Sequence, residues 1–408
     1  MKGIYKKRIL KITALLIVMV LIAIICESLL IRTTSAAEAH IKNFYREPKN
    51  SLDVAVIGCS EMYADYSPPI AYRNFGFTSY NLAVEGVPGH FFNSMLDEFL
   101  SRQDPQLVVF EVNGFFYTEK HLALEGSSRK WLDNMERNAN WAEQIHDNID
   151  KEDQFDYYVR LSKYHSNWER PEGQLARVYN MYLNYKGKVS KMKSFGTRTS
   201  CNSKKKVNRK KPPQLTDYGR EYLQATIDHC RELGLENVLF IREPHKAKIS
   251  AETDAELEKM ITDGGYKYFN LEALSDEIGI DESTDYYNGD HLNVFGNEKA
   301  TLYLGKYIME NYDISTEHTE EINKLWDDCA DYTEEAFSIL KERTLANEDK
   351  VYSEFNDLSE EGSALREKYH QIKKHGKDEN FDEHDPPEFG DGEDFPTECE
   401  DKAPDKKE

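Results

Sequence analysis

Paired cysteine is missing from this 408-residue chain. Its six cysteines, Cys26, Cys59, Cys201, Cys230, Cys329 and Cys399, stand far apart with no C-x-x-C spacing. That pattern is neither a disulfide framework nor a zinc site, and only a Cys201–Cys230 bridge stays open. Positive charge is also short: 52 Lys and Arg face 74 Asp and Glu, a net charge of −22. Nucleic-acid binding rests on neutralising phosphates, so no nucleic-acid partner is expected. Internal repeats are absent as well. The residues call for no metal and no cofactor.

The charge that is present is unevenly spread. From Gly376 to Glu408 there are 14 acidic and 4 basic side chains, with many Pro and Gly. This tail, 375–408, reads as disordered. Between Lys186 and Lys211 lie 11 Lys or Arg and no acid. That insert reads as a solvated loop, or as a contact for anionic envelope polymer or lipid headgroups.

Long apolar stretches are confined to the N-terminus. Lys2, Lys6, Lys7, Arg8 and Lys11 precede the run Ile12–Cys26. Extended to Ile9–Ile31, it has roughly the ~20 residues a bilayer-spanning helix needs. The basic flank places the N-terminus in the cytoplasm and the rest of the chain outside. A cleaved signal peptide is the rival, because Ala37-Glu38-Ala39 has the A-x-A form. Bulky Ile25 argues against lipid attachment at Cys26. Residues 1–40 are thus read as basic flank and anchor, and 40–52 as a polar approach segment.

Beyond them the rhythm is strand, helix, strand. Asp53–Gly58, whose Val54–Ile57 is apolar and mostly β-branched, Thr78–Leu82, Leu107–Val112, Val238–Ile241 and Tyr266–Asn270 read as short strands. Helices are expected at 67–74, 90–102, from 216 to Gly234, from a Thr253-x-x-Glu256 capping box to 262, and over 292–312. This is an α/β pattern with a parallel sheet. An insertion at about 118–214, rich in Tyr, Trp and charge, interrupts it. The main domain is read as 41–314. Ile322, Leu325, Trp326, Cys329, Tyr332, Ala336, Phe337 and Leu340 then form one apolar stripe in a helical extension, 315–374. It packs on the domain, on a partner or on itself.

Two polar sites stand out. Ser60 follows Gly58 and Cys59 at the carboxyl end of the first strand, where chemistry collects in open α/β sheets. Far downstream lies Asn288-Gly-Asp290-His291-Leu-Asn293. A strand-end serine and a remote histidine point to acyl chemistry through a serine nucleophile. Cys59, the alternative nucleophile, is expected to point into the sheet.

The chain resembles the SGNH/GDSL hydrolase superfamily, and within it the membrane-anchored branch of lipoteichoic acid D-alanylation and polysaccharide O-acetylation proteins. The likeness lies in Val56-Ile-Gly58-Cys59-Ser60-Glu61-Met-Tyr63 with Ser67-Pro68, in Tyr80-Asn81-Leu82-Ala83 to Gly86, in Val108-Val-Phe-Glu111-Val-Asn113, and in Asp290-His291-Leu292-Asn293-Val-Phe-Gly296. It covers about 50–116 and 216–312. It implies a three-layer, flavodoxin-like α/β sandwich with a central parallel sheet. It also implies Ser60 as nucleophile, His291 as base, and oxyanion donors from the Ser60 and Gly86 backbone and the Asn113 amide.

Two positions depart from the family pattern. Asn288 stands where an acid is usual, so Asn288, Asp290 or Asp285 orients His291, or the site is a dyad. Glu61 stands where histidine is frequent in the related branch, and a carboxylate there disfavours anionic substrates. Asn293 and Tyr63 are candidate neighbours, and Tyr164-His165-Ser166-Asn-Trp168 a candidate cleft lining. The expected protein is a single-pass membrane esterase or acyltransferase acting on an acylated cell-envelope polysaccharide or teichoic acid, acetyl or D-alanyl being the simplest acyl groups. Its implied partner is a membrane-bound O-acyltransferase. The alternatives are a catalytically weak or inactive envelope module of the same fold, and a secreted esterase.

Overall fold

The computed structural model describes residues 2–30, 36–122, 125–169, 190–201 and 212–352. The acidic tail, the extension beyond Tyr352 and much of the basic insert lie outside them.

Five short strands form one parallel sheet: β1 (Val54–Gly58), β2 (Ser79–Ala83), β3 (Leu107–Glu111), β4 (Val238–Arg242) and β5 (Lys267–Asn270), in the order β2-β1-β3-β4-β5. Alternate residues of β1 enter different cores. Ala55 and Ile57 join the larger one with Phe92, Phe99, Leu223 and Ile227, whereas Val54 and Val56 face Met62, Ala71, Leu304 and Ile308. Burial on both faces explains why β1, β3 and β4 read as nearly continuous apolar runs. The order reverses at β1, so the crevice at the strands' carboxyl ends opens between β1 and β3.

Helix α1 (Lys2–Leu30) contains a 23-residue apolar span, Tyr5–Glu27, long enough to cross a membrane. The following segment differs from the expected polar approach. Residues Ala36–Phe44 form α2, with Ala37, His40, Ile41 and Phe44 buried in the main core. The Tyr80 hydroxyl donates to the His40 carbonyl at 2.6 Å, so this helix is stitched to β2. The A-x-A motif therefore sits in a docked helix.

Helix α3 (Ser60–Asp65) was not among the expected helices. The others fall close to expectation and include α4 (Pro68–Phe75), α5 (Phe92–Leu100), Asp217–Glu232 and Val294–Asn311. Helix Ala251–Asp263 is capped by Ser250, whose Oγ accepts from the Thr253 N–H at 3.2 Å, and not by Thr253. The apolar stripe lies on the helix Glu320–Leu345 and packs on its own domain. Trp326, Cys329, Ala336, Phe337 and Leu340 are buried there against α4 and the helix Val294–Asn311.

Part of the basic insert is not a solvated loop. Met192, Lys193 and Phe195 are buried, and the Lys193 ammonium meets Glu47 at 2.8 Å and lies 4.7 Å from the Trp326 ring. A buried lysine is tolerated because the carboxylate neutralises it. Residues 197–198 then pair with 351–352 in a small antiparallel ribbon. Cys201 and Cys230 are both free thiols.

Candidate active site

Ser60 is the first residue of α3, immediately after β1. Gly58 is required there by close approach and not by an unusual backbone angle. A Cβ at 58 would lie 2.8 Å from the Glu111 Cβ and 3.0 Å from the Met62 Cβ. That contact packs β1 closely against β3 where Gly58 faces Glu111.

The histidine loop is tied to the serine's own helix. Tyr286 and Leu292 form a β-bridge, closing a narrow loop over 286–292. The Leu292 N–H donates to Asp65 Oδ1 at 2.8 Å, the Asn297 amide to the Ala64 carbonyl at 2.7 Å, and the Ser67 N–H to Thr301 Oγ1 at 2.9 Å. These bonds hold the start of the helix Val294–Asn311 against α3 and α4. They bring together groups 231 residues apart: His291 Nε2 stands 2.8 Å from Ser60 Oγ.

On its other side, His291 Nδ1 lies 3.0 Å from Asn288 Oδ1. The same oxygen accepts the N–H groups of Asp290 at 2.9 Å and His291 at 2.8 Å. An amide oxygen only accepts, so Nδ1 carries the proton and Nε2 is left to accept from the serine. Asn288 is therefore the residue that orients His291. Asp290 contributes its backbone N–H to the turn. Asp285 is committed elsewhere, to Lys299 at 2.6 Å, the Asp281 N–H at 2.8 Å and the Thr284 hydroxyl at 2.9 Å. Tyr287 stacks on the imidazole, ring centroids 5.2 Å apart.

Gly86 is buried in the turn after β2 with φ +64, a backbone angle that suits glycine. This turn adjoins the serine's neighbour, since the Cys59 thiol donates to the Val87 carbonyl at 3.1 Å. Asn113 follows β3. Its Oδ1 accepts from Arg242 Nη1 at 2.8 Å, which turns the Asn113 NH2 toward Glu61 Oε1, to which it donates. One amide N–H is thus occupied by a carboxylate and one remains for a reacting oxygen.

Glu61 is the hub between these groups. Its Oε2 lies 3.3 Å from Ser60 Oγ, and its Oε1 faces His245 Nε2 at 3.8 Å. Burial opposes its ionisation, but the hydrogen bond to His245 and the electrostatic attraction of the two neighbouring imidazoles, His291 and His245, outweigh that and hold its carboxyl below the usual carboxylate range. Around it are groups the sequence reading missed: Asp65, Glu111, Arg242, Glu243, His245 and Glu272. Arg242 pairs with Glu272 at 3.2 Å, and the Glu111 Oε1 accepts the Asn113 N–H at 2.6 Å. Burial pushes Asp65 and Glu111 well above the usual carboxylate range, with nearby carboxylates adding to the shift. The signal was visible in Arg242-Glu243-Pro244-His245, a charged run at the carboxyl end of an apolar strand.

The other expected neighbours serve the scaffold. Asn293 caps its helix through the Phe295 N–H at 3.0 Å and also donates to the Thr284 carbonyl at 2.7 Å. Tyr63 meets the edge of His40 at 4.6 Å. Tyr164 donates to Asp133 at 2.5 Å. Cys59 is buried in the main core, and burial pushes its thiol well up, so it is no thiolate nucleophile. Donor atoms of Cys59, Glu61 and Glu111 lie within 4.8 Å of one another. The Cys59 thiol donates to the Val87 carbonyl, Glu61 Oε1 accepts from the Asn113 side chain, and Glu111 Oε1 accepts from the Asn113 backbone N–H.

Glu243 gives the cluster a measurable consequence. Neither of its carboxylate oxygens has a hydrogen-bond partner among the described residues, and burial pushes it up to about 8. The unfolded chain loses this proton near pH 4.5, so the folded state binds more protons between there and about pH 8. Stability then falls as pH rises through that window, by at most ~1.4 kcal/mol per unit for one proton. Glu243→Gln is expected to flatten the decline in melting temperature from pH 5 to pH 8 and to raise it at pH 8. An unchanged pH profile in that variant would remove Glu243 from the account.

Neither a known protein-family model nor a curated protein sequence matches this chain. The functional reading therefore rests on the geometry above.

Proposed function

We propose that the chain is a membrane-anchored serine esterase or acyltransferase of the SGNH type, working through a Ser60 acyl-enzyme. The observation that carries this reading is the continuous Ser60 Oγ–His291 Nε2–Nδ1–Asn288 Oδ1 chain, with separations of 2.8 and 3.0 Å. The strand order, the helices on both sheet faces and the position of Ser60 after β1 agree with the three-layer sandwich that this family has.

In this mechanism His291 removes the Ser60 proton as Oγ attacks an ester carbonyl, then returns it to the departing alcohol. The carbonyl oxygen becomes an oxyanion stabilised by the Ser60 N–H, the Gly86 N–H and the free Asn113 N–H, a contribution of typically ~3–4 kcal/mol per donor. Hydrolysis or transfer follows according to whether water or a sugar hydroxyl meets the acyl-enzyme. The proposed substrates are acetyl or D-alanyl esters of an extracytoplasmic polysaccharide or teichoic acid. The apolar span after a basic flank supports a cytoplasmic N-terminus, and the docked α2 supports retention of the anchor. A membrane-bound O-acyltransferase is the proposed partner.

A second reading is favoured by two specific features. Asn288 brings no negative charge to His291, and Glu61 occupies an Asn113 N–H beside the serine. Both slow acyl chemistry, as in an inactive module that binds polymer. Hydrolysis of 4-nitrophenyl acetate by the detergent-solubilised full chain separates the two. Turnover with a burst of nitrophenol, absent in Ser60→Ala, supports the enzyme; equal rates in both proteins support the module.

A further inference from the structure

The end of the membrane span is where the insertion attaches. Glu27, the last residue of the span, accepts from Arg160 Nε at 2.6 Å and from Arg137 Nη2. Three residues on, the Leu30 carbonyl accepts from the Asn167 amide at 2.7 Å. The short helices Gln154–Tyr158 and Arg160–Tyr164 and the 3-10 turn His165–Glu169 are thereby fixed level with the point where α1 leaves its apolar span.

That same segment carries unusual exposed apolar surface. Outside α1, the exposed large apolar side chains among the described residues are Phe155, Tyr158, Val159, Trp168, Leu233 and Leu345. Four of these six fall within 155–168, and Trp168 is 67% exposed and Phe155 62%. Clustered exposed apolar groups mark an interaction surface. Tryptophan with aliphatic and aromatic neighbours suits the boundary between headgroups and acyl chains, where an amphipathic ring satisfies both sides.

We infer that the exposed Phe155, Val159 and Trp168 of this segment rest in the headgroup–acyl boundary of the leaflet from which α1 emerges. The inference rests on α1 spanning the membrane and not on the chemistry of Ser60. Its occupant is lipid, because the segment is bonded at Arg160 and Asn167 to the end of a span that itself must be surrounded by lipid. The contact fixes the tilt of the domain as a second attachment beside the helix.

Trp168 supplies its own probe. Trp131 and Trp326 are fully buried and Trp141 is 8% exposed, so only the fourth tryptophan is open to its surroundings. The full chain is reconstituted in phosphatidylcholine vesicles, with and without bromine near the top of the acyl chains. Its fluorescence is compared with that of Trp168→Phe. The expected wild-type-minus-variant spectrum is blue-shifted, loses more than half its intensity in brominated vesicles and resists acrylamide. A difference spectrum untouched by bromine and quenched by acrylamide would overturn the inference, leaving that segment for water or a protein partner. Alkaline-carbonate extraction of the same vesicles shows separately whether α1 is inserted. Loss of the chain on extraction overturns the inference through its premise.

Discussion

Ser60→Ala is expected to abolish ester turnover, lowering kcat/KM by about 10⁴-fold or more, as removal of an acyl-enzyme nucleophile does. His291→Ala is expected to cost nearly as much, and the double variant no more than either single one. The reason is geometric: Oγ and Nε2 share one proton across 2.8 Å, so neither group works without the other. Non-additivity distinguishes this unit from two independent contributors, whose losses would multiply. The fold should survive each change. Ser60 donates no hydrogen bond that holds α3 in place, and the loop is retained by Leu292 on Asp65, not by the imidazole. Kinetics with a chromogenic acetyl ester, with melting temperature as the folding control, measure both quantities. Multiplicative losses would contradict the shared-proton account.

The opposite direction is expected at Asn288. Asn288→Asp keeps an acceptor oxygen for all three donors, two backbone N–H groups and Nδ1–H, and makes each bond charge-assisted. The amide already selects the correct tautomer, so the gain comes from charge alone. A carboxylate 3.0 Å from Nδ1 stabilises the imidazolium that forms as serine attacks. The expected rise in kcat is about 10- to 100-fold, or roughly 1.4–2.7 kcal/mol of barrier. The same charge favours the imidazolium over the neutral imidazole. Because the base must start neutral, the acidic limb of the kcat/KM profile moves to higher pH. A gain without that shift would mean that the new carboxylate acts elsewhere. A loss of activity would mean that the neutral amide is itself required, as beside a carboxylate as close as Glu61.

Much of the scaffold was legible because its signals are local. Val54–Ile57 is short, apolar and mostly β-branched, and Gly58 stops it, so the strand and Ser60's place at its end follow from five residues. Phe92–Leu100 declares itself by helical spacing. The serine and histidine were legible as a pair for the same reason, each sitting at the edge of a clear element.

What the sequence hid depends on partners far along the chain. Asn288, Asp290 and Asp285 lie within six residues of the histidine, and spacing alone cannot rank them. The ranking comes from a turn that points the Asn288 oxygen at Nδ1 and from Lys299, which takes Asp285. Lys193 read as a surface charge because its neutralising partner, Glu47, lies 146 residues upstream. The buried acids and Arg242 are contributed by three different strand ends and by later loops. Their mutual shifts in acidity exist only once the sheet is assembled. Helix α2 is only nine residues long, and its short apolar face gave too few turns to show a period.

Fluorophosphonate labelling of the full-length chain, followed by peptide mass spectrometry, tests the serine–histidine unit most directly. One adduct is expected, on Ser60, forming at a rate that falls sharply in His291→Ala and disappears in Ser60→Ala. An unlabelled wild-type chain, or an adduct on another residue that persists in Ser60→Ala, would contradict it.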